Sequence, residues 1–231
     1  MTSTLLLRLA APRQSWGGHA TQMYRPTEKV PTRTGLEGLL HAALGVARGE
    51  SSPLVTGLVM HVRVDRAGTV EEDYHAVTPP PADIAASRQR AMRLSTRQKT
   101  RRTDFTVPLG AGTAWIVPGG IQPMISRRAY LADAEFIAAF TGDDAAIAEL
   151  DDAVRRPVFT PYLGRQAFAP AYPFHLGVRP GDGLTVLEHL PSTAPAGRVL
   201  PVYLVEPFTP TQVARIDPER ATTPLEAWKR A

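Results

Sequence analysis

The residues best placed to do chemistry are cations. Ser87 to Arg102 holds Arg88, Arg90, Arg93, Arg97, Lys99, Arg101 and Arg102 without a single acid. Met1 to Thr34 contains Arg8, Arg13, Arg25, Lys29 and Arg33 against Glu28 alone, and Arg127 and Arg128 form a third group. These regions carry +7, +4 and +2, so with a net charge of +4 the remainder of the chain stands at −9. Such a polarised distribution steers and holds a polyanion better than uniform basicity does. Most of the cations are arginines, whose planar fork pairs with phosphate at two points and stacks on bases. Trp16 and Tyr24 lie among them, in the position of stacking platforms for unpaired nucleotides, although Trp16 reads equally well as a core aromatic at a strand exit.

Other chemistries are poorly represented. The sequence has no phosphate-binding loop, paired-glycine dinucleotide turn, nucleophile elbow or zinc-type histidine spacing. Gly110-Ala111-Gly112 and Gly119-Gly120 read as turns. Zero cysteines exclude disulfides and cysteine-ligated metals and suit the cytoplasm. No segment approaches the roughly 18 apolar residues of a membrane span. Neither a cofactor nor a metal is expected. Among six scattered histidines, His41 and His61 suit structural positions on a helix and a strand. His19, beside Trp16, Gly17 and Gly18, could act as a general base on a ribose hydroxyl but has no evident acid partner.

The elements that must position these groups follow from periodicity. Thr4 to Ala10 reads as a buried strand, and residues 12 to 33, with three prolines and two glycines, as a long binding loop. A helix is predicted from Thr34, where Thr34 and Glu37 fit a capping box, to Gly49, with Leu36, Leu39, Leu40, Ala43 and Ala47 on one face. Residues 58–64 alternate as a half-buried strand and are predicted to form a hairpin with Thr69 to Val77. After Pro79-Pro80-Pro81, residues 78–124 form an excursion from the core. Tyr130 to Phe140 reads as one strand and Asp143 to Arg155 as a helix. Prolines then punctuate short runs, 184–190 and 199–205, that suggest strands. The order approximates a β-α-β-β-α-β plan. The prediction is therefore an α+β chain: a ferredoxin-like domain over 1–170 that includes the excursion 78–124, and a small C-terminal β-domain over 171–231.

Four ordered strings carry a family resemblance: LRLAAPRQSWGG, PTRTGLEGLLHAALG (Pro31 to Gly45), SRRAYLADAEF (Ser126 to Phe136) and TPYLGRQAFAP (Thr160 to Pro170). They resemble the CasD family, the Cas-five subunits of the type I-E CRISPR surveillance complex, Cascade. The resemblance implies a non-catalytic subunit that binds the 5′ handle of CRISPR RNA and caps the filament of backbone subunits. It also implies contact with the large subunit and other Cascade subunits, and with target DNA in the assembled complex. By position it implies handle contacts at Arg13, Ser15, Trp16, Gly17, Arg25, Thr32, Arg33, Ser126, Arg127, Arg128, Gly164 and Arg165, and a thumb bearing the seven bases of 87–102. The alternative is a metal-independent endoribonuclease processing CRISPR precursor RNA. In type I-C relatives the equivalent subunit cuts RNA, but no matching Tyr, Lys and His set is evident here.

Overall fold

The computed structural model describes residues 2–21, 23–77, 105–110, 113–117, 124–195, 197–207, 209–221 and 223. In chain order the strands are β1 (Thr2–Ala10), β2 (Arg13–Gln14), β3 (Tyr24–Arg25), β4 (Val59–Arg66), β5 (Thr69–Val77), β6 (Phe105–Gly110), β7 (Thr113–Val117), β8 (Met124–Ala132), β9 (Glu135–Asp143), β10 (His175–Pro180), β11 (Leu200–Val205) and β12 (Pro210–Ile216). The helices are α1 (Arg33–Leu44), α2 (Pro53–Thr56), α3 (Asp144–Arg155) and α4 (Gly183–His189). Two compact units result, one built from residues 1–73 and 128–231 and the other from 74–127. In the second, β6 and β7 form an antiparallel hairpin.

The first unit is organised by a six-stranded sheet in the order β10-β1-β9-β4-β11-β12. All its pairings are antiparallel. One face, with Leu5, Leu7 and Leu9 of β1 and Phe136 and Phe140 of β9, packs with Leu36 and Leu40 of α1 and Ile147 and Leu150 of α3 in one core. The other face, with Leu6, Ile137 and Val202, packs beneath Leu187 of α4. Because both faces are covered, β1 reads as a continuous apolar run rather than an alternation.

Several predicted elements move. The helix starts one residue earlier and its cap lies two earlier: the Thr32 side chain accepts the Gly35 N–H, and Gly45, at φ 77°, ends it before Gly49. The capping box at Thr34 is thus displaced by a cap at Thr32, and the buried Trp16 ring lies against Gly35 in the first turn. The hairpin of 58–64 with 69–77 does not form. β4 lies between β9 and β11, and β5 pairs with β8. The polar half of the alternation misled: Arg63 is fully buried on the second face, gripping Asp65 by Nε at 2.7 Å and Nη2 at 2.9 Å. Its remaining donors reach the carbonyls of Leu187, Leu190 and Pro191, the C-terminal end of α4. A half-buried strand is in fact a central one.

Tyr130 to Phe140 divides into β8 and β9 at a turn where Asp133 has φ 53°. The predicted strand 184–190 is instead α4, capped by Asp182, whose carboxylate accepts the Leu184 and Thr185 N–H groups. The boundary near 170 separates no domain among the described residues. β10 adds to one edge of the main sheet and β11 and β12 to the other, so 171–221 completes the core begun by β1. Its short proline-bounded strands cannot bury both faces alone, and borrowing the existing sheet solves this.

Candidate nucleic-acid interface

A smaller sheet, in the order β2-β8-β3 with β5 also paired to β8, gathers residues distant in sequence. Arg13 opens β2 opposite Ala132, Arg25 ends β3, and Arg128 lies on β8. A closed turn supplies the fourth cation: Leu163 N–H donates to the Phe168 carbonyl at 2.8 Å and Phe168 N–H to the Arg165 carbonyl at 2.8 Å. This turn is fastened to the first loop because the Ser15 N–H donates to the Leu163 carbonyl at 3.0 Å. Gly164, at φ 88°, is required there; a Cβ would sit 1.6 Å from the Ser15 carbonyl oxygen.

Two aromatic rings join the cations. The Arg13 guanidinium carbon lies 4.8 Å from the centroid of the Tyr130 ring. Tyr130 meets Phe168 with centroids 6.2 Å apart, and Arg165 covers Phe168 at 5.3 Å. Arg165 also donates Nη2 to the Ala129 carbonyl at 2.7 Å, which leaves the rest of its fork for other partners. Cation–π contacts orient both guanidiniums without neutralising them. Burial lowers the pKa of Arg165 first, and the positive charges of Arg128 and Arg25 lower it further, against an opposing pull from Asp73. It stays charged at neutral pH, but its neighbours repel it. Arg128 adds a buried Nε without a partner among the described residues. Crowded, partly desolvated guanidiniums gain free energy when an anion enters among them. The Tyr130 hydroxyl donates to Glu71 at 2.7 Å, and that bond, followed by burial, raises its pKa.

The other sequence-picked residues divide by role. Trp16 is only 1% exposed, so its expected stacking on nucleotides is corrected to a core role. Its Nε1–H donates to Gln14 and its ring seats α1 at Gly35. Ser15 is buried and donates its hydroxyl to the Ala129 carbonyl, while Gly17 is exposed beside the interface. Thr32 caps α1. Arg33 is occupied within the chain: Nε bonds Glu37 at 2.8 Å, and Nη2 donates to the carbonyls of Thr56 and Leu58. It locks α1 to the approach to β4 and does not join the cluster. Ser126 is half-buried and Arg127 exposed, both on the β8 segment within the second unit. Arg88, Arg90, Arg93, Arg97, Lys99, Arg101 and Arg102 lie outside the described residues. His19 is exposed in the loop. Among the described residues no group of three His, Asp or Glu side chains could hold a metal ion, and no helix is long and apolar enough to cross a membrane.

Sequence reasoning misses Glu71, Asp73, Tyr130 and Phe168. Tyr130 and Phe168 sit inside the family strings, but their role depends on β8 meeting the 163–168 turn, which no local pattern signals.

The family described as CRISPR-associated protein (Cas_Cas5) matches residues 4–222. The chain belongs to the CRISPR-associated Cas5 family. It is 31% identical over 188 residues to the CRISPR system Cascade subunit CasD of Escherichia coli (strain K12), covering 77% of this chain and 71% of that one. A solved structure titled CRISPR RNA-guided surveillance complex contains a chain that superposes with TM-score 0.67 at 29% identity, over 92% of this chain and 87% of the other. A second, titled Crystal structure of Cas protein, aligns with TM-score 0.61 at 24% identity over 95% and 100%, and shares the fold. The match extends across both units, so the mixed α/β, sheet-rich architecture is that of Cas5 structures.

Proposed function

We propose that this Cas5-family chain is a non-catalytic subunit of a CRISPR RNA-guided surveillance complex and holds the 5′ handle of CRISPR RNA. The observation that carries this reading is the convergence of Arg13, Arg25, Arg128 and Arg165, from four separate segments, with Arg13 and Arg165 seated on the neighbouring rings of Tyr130 and Phe168. Arginines on rigid strands grip phosphates and fix register, while neighbouring polar groups and backbone read the bases. In this reading β1, α1, β4, β9, α3 and β10 are the ferredoxin-like core, and the excursion 78–124 is the thumb. The subunit caps the backbone filament, touches the large subunit, and meets target DNA only in the assembled complex. The cytoplasm is its compartment.

The test is co-expression with the other Cascade subunits, sequencing of the 5′ ends of co-purified RNA, and a salt titration of handle binding. A common handle sequence at those ends supports the reading. Random ends remove it. Incubating the chain with repeat RNA in EDTA addresses cutting: specific cleavage that disappears in His19→Ala replaces the scaffold with an endoribonuclease.

A further inference from the structure

A groove adjoins the arginine cluster. It runs along the outer side of α1 as two neighbouring cavities of about 190 and 740 Å³ that share Ala42 and Tyr162. Gly35 and Gly38 form part of the floor, and a Cβ added at Gly38 would meet nothing within 4 Å, so the groove is open there. Its wall is apolar and solvent-facing: Tyr162 is 43% exposed, Phe159 54% and Val158 64%. These side chains do not dangle. Val158 and Phe159 donate their N–H groups to the carbonyls of Ala43 and Ala42 in the last turn of α1, at 3.0 and 3.1 Å, the Ala42 carbonyl also accepting the Gly45 N–H. Three neighbouring apolar side chains held rigidly in water mark a surface that something covers.

Continuity with the cations indicates what covers it. Gly164 lines the smaller cavity and Gln166 the larger, so the groove opens on either side of Arg165 in the chain. No acid lies in the first turn of α1 to repel an anionic ligand. An aromatic beside an arginine fork is the arrangement that holds an unpaired nucleotide, with phosphate on the guanidinium and base against the ring.

We propose that Tyr162 and Phe159 form a stacking subsite for one or two unpaired bases of the RNA whose phosphates lie on the arginine cluster. The proposal rests on the RNA-binding function and assigns the stacking that Trp16, being buried, cannot supply. Base stacking tolerates any base, so the subsite adds affinity and fixes register without reading sequence.

The experiment uses the full chain and a repeat-derived handle RNA carrying 2-aminopurine at one position at a time. At one or two positions binding quenches the fluorescence, and Tyr162→Phe retains the quenching. Tyr162→Ala and Phe159→Ala lose it and weaken binding by about 5- to 150-fold with an unchanged salt slope, whereas Arg165→Ala lowers the slope. If the unaltered chain binds RNA and the double variant Phe159→Ala/Tyr162→Ala, with an unchanged melting temperature, binds it equally well and quenches equally, the subsite is wrong while the RNA-binding function stands. If that variant keeps its RNA affinity but loses a protein subunit from the purified complex, the groove docks protein and the proposal is overturned. If the unaltered chain binds no RNA at any salt concentration, the parent function fails first.

Discussion

Two sets of arginines in one chain meet opposite fates. Arg63 is sealed beneath α4 with every nitrogen paired: a bidentate hold on Asp65 and the carbonyls that end the helix. Asp65 is satisfied in turn by the Ser192 hydroxyl at 2.6 Å. Arg33 and Arg8 follow the same pattern, clamped to Glu37 and Glu135 respectively. Around β8, Arg13, Arg25, Arg128 and Arg165 are brought towards one another, Arg13 and Arg165 oriented by rings and left with donors to spare. Residue type and even family position do not separate the two sets. What separates them is whether a carboxylate and backbone carbonyls of the same chain complete the fork.

The largest effect that would break this contrast is at Arg63. Arg63→Ala leaves Asp65 buried without its partner and is expected to remove about 3–5 kcal/mol of stability, read by urea unfolding. A change within about 0.5 kcal/mol would mean that water replaces the guanidinium and that the site is not sealed. Next comes Gly164→Ala, which forces a Cβ into the Ser15 carbonyl and imposes φ 88° on a residue that resists it. It should cost more than about 1 kcal/mol and weaken RNA binding although no charge changes, because the turn carrying Arg165 must shift. Arg165→Ala and Arg33→Ala then sharpen the comparison directly. The first should lower the salt slope of RNA binding by about 0.7 for each phosphate that is no longer neutralised. The second should lower the melting temperature and leave the slope alone. Equal slopes for both would erase the distinction.

The smallest effect concerns His61, on the same buried face as Arg63. Burial lowers its pKa despite the opposing charge of Asp182, and its Nδ1 has no partner among the described residues. A base with a depressed pKa is neutral in the fold and takes up its proton more readily when unfolded. Stability therefore falls as pH drops below the ordinary value of 6.5. His61→Gln should flatten the part of the pH–stability curve below that value; an unchanged curve would show that other groups set it.

Much of the fold is legible in one dimension. The apolar stripes of α1 and α3 and the run of β1 are local patterns, and each element forms close to where its periodicity places it. The Asp182 cap of α4 is also present in the sequence, but short runs between prolines favour a strand reading, and Leu187 and Leu190 show their helical role only against Ile137. The β4 pairing is illegible for a different reason. Arg63 and Asp65 look solvent-facing until a helix from more than 120 residues away covers them. At the interface, the arginines are visible as charges and four of the expected contacts converge, yet sequence does not tell Arg33 from Arg165. The difference lies in the Thr56 and Leu58 carbonyls in one case and the Phe168 ring in the other. Trp16 misleads because a buried ring and a stacking ring share a residue type.

The interleaving of the main sheet has a kinetic consequence. β1 is hydrogen-bonded to β9 on one side and β10 on the other, so its partners lie more than 120 residues downstream in the chain. While the ribosome is still translating, Leu5, Leu6, Leu7 and Leu9 form an oily ribbon with no mate, the kind of segment that sticks to copies of itself. Long-range antiparallel pairing is slow to assemble. Yield of the intact chain should accordingly improve at low temperature and slow synthesis, and ending translation before β10 should send the product to inclusion bodies.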